Sequence, residues 1–174
     1  MRASSRVSCV IIILLCNYFC TSETYKRIEN LSSSNNLNYI NSTIKKVLKI
    51  GNEKISKDDN NILIILGYQC NDYNPECFYR GVVYDKNSKE KYYFKELKSK
   101  KIELVNDDKE NYEIINCILD LSISNNYLQL KEYEGVKISH LQSSYYIYEL
   151  NSDKQDQVLI YENLFMDDKG FLRP

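Results

Sequence analysis

The chain has 174 residues and carries 23 basic against 24 acidic side chains, a formal charge of −1. That length suits one domain with its own core, and the balanced charge excludes nucleic acid or an anionic membrane as a partner held by net charge. Tyr stands at 16 and Trp at zero, with Asn, Ile and Lys abundant, a bias that A/T-rich coding produces by itself.

Residues 1–22 have the form of a secretory signal. Arg2 and Arg6 supply a positive start, residues 7–19 form an apolar run too short to span a bilayer comfortably, and Cys20 and Ser22 are small residues suited to a cut before Glu23. Cleavage there leaves 21 basic against 24 acidic residues and no further stretch apolar and long enough to cross a membrane. A lipoprotein reading, with Cys16 or Cys20 as the lipidated residue, competes with it. The bulky Leu15 and Phe19 stand where such a site prefers a small side chain.

Residues 23–38, containing LSSSNNLN, read as a flexible polar spacer. An amphipathic helix follows: Ile40, Ile44, Val47 and Leu48 keep the 3.6-residue period, Asn41 or Ser42 can cap it, and Gly51 can end it. Asn30-Leu31-Ser32 and Asn41-Ser42-Thr43 are candidate N-glycosylation sequons, of a kind that high Asn content makes frequent.

Beyond residue 60 the pattern is that of short strands separated by turn residues. NILIILGYQ is continuously apolar, as in a central strand covered on both faces. CFYRGVVY, KYYFKEL and KKIELV follow. NYEIINCILDLSIS alternates, with Ile115, Cys117, Leu119, Leu121 and Ile123 on one face, and Asn125-Asn126 is a hairpin signal. YLQLKEY, VKISHL, YYIYEL and VLIYEN complete a set of about nine strands, which predicts a mainly β fold: an antiparallel sandwich or barrel-like meander with one N-terminal helix. An α+β fold with the helix packed on one sheet is the alternative. The globular domain then spans 39–166, and 167–174 is a polar tail.

Chemistry is limited by what the chain lacks. His140 is the single histidine and lies in an expected strand beside Val136 and Ile138 by alternation. A zinc site from Cys70, Cys77, Cys117 and His140 has the wrong cysteine spacing for a knuckle. The pairs Asp58-Asp59, Asp107-Asp108 and Asp167-Asp168 fall in turn-like or terminal segments, and no cofactor motif is present, so neither metal nor cofactor is expected.

Three cysteines survive signal removal, and Cys70 with Cys77 is the economical pair, closing a hairpin between two strand ends with Asn74-Pro75 aiding the reversal. The stapled stretch Tyr68, Asn71, Asp72, Tyr73, Asn74, Pro75, Glu76, Phe78 and Tyr79 is the candidate binding loop, its aromatics suited to recognition. The expectation is a secreted or surface-associated, non-enzymatic binding protein with a protein partner. An envelope lipoprotein and a hydrolase with carboxylates from several strands are the alternatives.

Overall fold

A computed structural model describes residues 23–51, 61–71, 77–105, 112–135, 141–166 and 172–173. Cys16, Cys20, Asp72, Tyr73, Asn74, Pro75, Glu76, His140 and the three aspartate pairs lie outside the described residues, and of Asn71 only the backbone is described.

The apolar run after residue 61 becomes strand β1 (Ile62–Asn71), which sits between β2 (Phe78–Asp85) and β5 (Leu141–Leu150). Strands β3 (Lys91–Glu96) and β4 (Ile102–Val105) extend the sheet on one side and β6 (Gln157–Glu162) on the other. The order is β4-β3-β2-β1-β5-β6, and every neighbouring pair is antiparallel. Among the described residues the β-rich, antiparallel part of the expectation fits loosely, as one six-stranded sheet with helices, and about nine strands in a sandwich or barrel are not found. A short ribbon of β7 (Phe165–Met166) and β8 (Leu172–Arg173) places part of the expected tail in a strand.

Helices cover both faces. On the first lie α1 (Glu23–Ser34), a 3-10 turn (Asn38–Ile40) and α2 (Asn41–Gly51). Ile28, Leu37, Ile40, Ile44 and Val47 pack there on Ile62, Ile64, Leu66, Phe94, Tyr146 and Tyr148. On the second lie α3 (Glu113–Ile123) and α4 (Tyr127–Glu132), packed through Ile115, Ile118, Leu119 and Leu130 on Leu63, Ile65, Val82, Tyr145 and Ile147. Alternate residues of β1 thus enter two separate cores, which explains why its sequence shows no polar face.

Two segments differ in kind from the sequence reading. Residues 23–38 are a helix and its cap, not a flexible spacer: Ile28 and Ser32 are fully buried, and Arg27 pairs with Asp156. The Leu37 N–H donates to the Ser32 carbonyl at 2.6 Å and the Asn36 N–H to the Ser33 carbonyl at 3.3 Å, with Asn36 at φ 58°. That is a Schellman stop with asparagine in the left-handed position. Residues 113–132, expected as two strands and a hairpin, are helices. The same stop ends α3, with Asn126 N–H to Leu121 O, Asn125 N–H to Ser122 O, and Asn125 at φ 54°. The buried positions Ile115, Ile118, Leu119 and Ser122 follow the helical period, and Cys117 and Leu121 are only half-buried.

Candidate functional site

The chain reverses between β1 and β2 at the disulfide Cys70–Cys77, whose Cα atoms are 4.3 Å apart. The last ladder pair before it is Gln69 with Phe78, so the bond closes the hairpin directly beyond the sheet. Closing a loop of this size removes unfolded-state freedom of about 2.5 kcal/mol. The double variant Cys70→Ser/Cys77→Ser is expected to melt roughly 5–10 °C below the wild type in a calorimetric scan. Equal melting temperatures would show that the bond contributes nothing to stability. Cys117, on α3, is half-buried and stands outside this disulfide.

Pleating then sorts the aromatic residues of this end. Tyr68 and Tyr79 are directly paired across β1 and β2 on the first face, their rings 5.0 Å apart and tilted by 38°. The Tyr68 hydroxyl lies 2.9 Å from the Cys70 sulfur; a disulfide sulfur carries no proton, so the hydroxyl is the donor. Tyr146, from β5, hydrogen-bonds Tyr39 from the 3-10 turn at 2.7 Å, with the rings edge to face at 6.4 Å. Behind them the Tyr148 hydroxyl meets the buried Ser32 of α1 at 3.1 Å. Burial, followed by the neighbouring Tyr68, Glu96, Tyr39 and Tyr148, pushes the Tyr79 phenol up to about 12. Burial and the Tyr39 hydroxyl likewise raise Tyr146. The raised Tyr79 and Tyr146 phenols are neutral hydroxyls at physiological pH, able both to donate and to accept.

Tyr39 is the outermost member, 61% exposed, and Tyr68 and Tyr79 are half-buried. The surface thus combines a fixed aromatic base with an accessible rim. Its parts come from the 3-10 turn and three strands, and it exists only because the N-terminal helices dock on the sheet. Phe78, expected in the same contact set, points to the other face, where the Arg80 guanidinium lies 4.8 Å from its ring centroid. Tyr39 and Tyr146 did not stand out in the sequence, because they reach the site through tertiary pairing alone.

The β3–β4 turn borders the same end. Lys100 extends Nζ to the Cys77 carbonyl and to Glu96 Oε2, each at 3.4 Å. Lys46 of α2 donates to the Lys100 carbonyl at 2.9 Å. The candidate glycosylation residues lie nearby in sequence: Asn30 is exposed on α1, and Asn41 opens α2 half-buried, its amide 3.4 Å from Asn38 Oδ1.

No family model, curated protein or solved structure matches this chain. Its chemistry is therefore argued from its own side chains. Among the described residues no group of three or more His, Cys, Asp or Glu is placed to hold a metal ion. None of the described helices is long and apolar enough to cross a membrane.

The buried carboxylates Glu149 and Asp85 and the half-buried Asp156 are committed to structure. Glu149 Oε2 accepts hydrogen bonds from Tyr127 at 2.8 Å and Gln157 at 2.5 Å, and Oε1 pairs with Lys86. Asp85 caps its turn through the Asn87 and Ser88 N–H groups at 2.8 and 3.2 Å. Asp156 is held by both nitrogens of the Arg27 fork. A hydrolytic pair needs one carboxyl poised to give up or take a proton, whereas the partners of Glu149 and Asp156 hold both in the ionised form.

Proposed function

We propose that this chain is a secreted or surface-associated, non-enzymatic binding protein that contacts a protein partner through the disulfide-closed end of its sheet. The observation that carries this reading is the convergence of Tyr39, Tyr68, Tyr79 and Tyr146 at that end, with Tyr39 open to solvent and the rest fixed by packing. Rigid aromatic groups with a polar tip supply contact area at little entropic cost. The disulfide supports an oxidising compartment, in keeping with the signal-like residues 1–22.

The expected result is specific. On an array of extracellular proteins, the Tyr39→Ala/Tyr79→Ala variant binds its targets at least about tenfold more weakly than the wild type. Leu128→Ser, on α4 across the sheet and 81% exposed in the wild type, leaves the same signals unchanged. Signals indifferent to the tyrosine substitutions and lost with Leu128→Ser would move the contact to the other face and overturn the reading.

A further inference from the structure

The second feature of the disulfide end is its charge. Helix α2 contributes Lys45, Lys46 and Lys49, and the β3–β4 turn contributes Lys98, Lys100 and Lys101, all exposed. Residues 38–51 and 97–101 contain no carboxylate side chain, and Glu96 at the border is itself paired with Lys100. The two groups are joined in the fold. Lys46 donates to the Lys100 backbone carbonyl at 2.9 Å, and the buried Ile102 begins β4 in the same first-face core as Ile44 and Val47. A chain of net charge −1 therefore gathers the lysines of α2 and of the β3–β4 turn at one end, with Lys45 turned toward α1, 5.5 Å over the Tyr25 ring.

We infer that this lysine flank binds a sulfated polysaccharide. The ligand must be a polyanion, because ammonium groups spread over a helix and a turn match a chain of repeating charges better than a single anion. An anionic lipid surface fits less well, since interfacial anchoring needs apolar residues beside the basic ones. Tyr39 and Ile160 are the exposed large apolar residues described on this face, and Ile160 stands on β6, the sheet edge opposite β4 and its lysines; Ile123 and Leu128 belong to the helices on the other face. The disulfide favours an oxidising compartment, where sulfated glycans, not nucleic acids, are the ordinary polyanion. The inference rests on the exported location proposed above and not on the tyrosine contact.

Heparin, used as the probe, tests it on the purified full chain. The wild type is expected to be retained on immobilised heparin at near-physiological salt and to pass through a sulfonate resin of equal charge density. Lys46→Gln/Lys49→Gln/Lys101→Gln should bind a heparin oligosaccharide about tenfold more weakly. The control Lys89→Gln/Lys91→Gln/Lys154→Gln removes the same charge at the opposite end of the sheet and should bind as the wild type does. No retention, equal loss in both triple variants, equal retention on the sulfonate resin, or equal binding to vesicles of anionic phospholipid would each overturn the inference. Because the assay contains no protein partner, its failure leaves the tyrosine-surface reading standing, and failure of the array experiment leaves this one standing.

Discussion

Gly81→Ala is expected to cost about 3 kcal/mol or more, well above the same change at Gly67. Gly81 lies in β2 opposite Phe94, and a Cβ there would overlap the backbone carbonyl oxygen of Ile65 and come within 2.5 Å of Phe94 Cζ. The first obstacle is the backbone of the central strand, which cannot rotate away. The second is a fully buried ring in the first-face core. Overpacking of this kind forces strand displacement instead of a rotamer change. Gly67→Ala provides the internal comparison, because the three atoms nearest its added methyl belong to the side chains of Tyr145 and Ile115, at 3.0 to 3.2 Å. It should cost about 1 kcal/mol or less. Urea unfolding at neutral pH reads both values. Equal midpoints for the two variants would contradict the close approach at Gly81.

Glu149→Gln is expected to destabilise by about 2–3 kcal/mol at pH 7. The carboxylate ties β5 to the β2–β3 turn through Lys86, to α4 through Tyr127 and to β6 through Gln157. The side chain is 5% exposed and Lys86 is 25% exposed, so the cost falls short of that for breaking a fully buried pair. Burial by itself would raise the Glu149 carboxyl, but hydrogen bonds from Lys86, Gln157 and Tyr127 outweigh it and hold the group below its ordinary range. A carboxyl depressed in the folded state contributes stability that is fully present above its unfolded value. That contribution is lost as pH falls through the folded value. Asp156, lowered chiefly by the Arg27 hydrogen bond, acts in the same direction. Wild-type stability should therefore decline from about pH 5 downward, and Glu149→Gln should show a shallower decline. Parallel pH profiles for the two proteins would remove Glu149 from the account.

The hairpin strands and the cysteine staple were legible because their signals are local: turn residues at β2–β3, β-type residues on either side, and two cysteines at strand ends. Helix α3 was not, because residues 113–123 are apolar at so many positions that alternation and the helical period both find support. Burial of Ile115, Ile118 and Leu119 decides for the helix. Helix α1 was missed for the opposite reason. It buries few apolar side chains and docks largely through Ser32 on Tyr148 and Arg27 on Asp156, partners more than 100 positions away. One local signal was present in both cases. Asn35-Asn36 and Asn125-Asn126 each follow a serine-containing helical turn and each places its final or first asparagine at positive φ as a helix stop. Half of the tyrosine surface was legible, since Tyr68 and Tyr79 flank the paired cysteines, whereas Tyr39 and Tyr146 had no local signal because they meet only after the N-terminal helices dock.

That docking is the central claim, because without it neither the first-face core nor the tyrosine surface is complete. Native-state hydrogen exchange on the full chain measures it directly. Amides within α1 and α2, Ile28 to Ser32 and Ile44 to Leu48 in particular, are predicted to exchange slowly and to lose protection together with β1 and β5 in denaturant. Exchange of residues 24–34 at the rate of an unstructured chain, with β1 and β5 still protected, would contradict it.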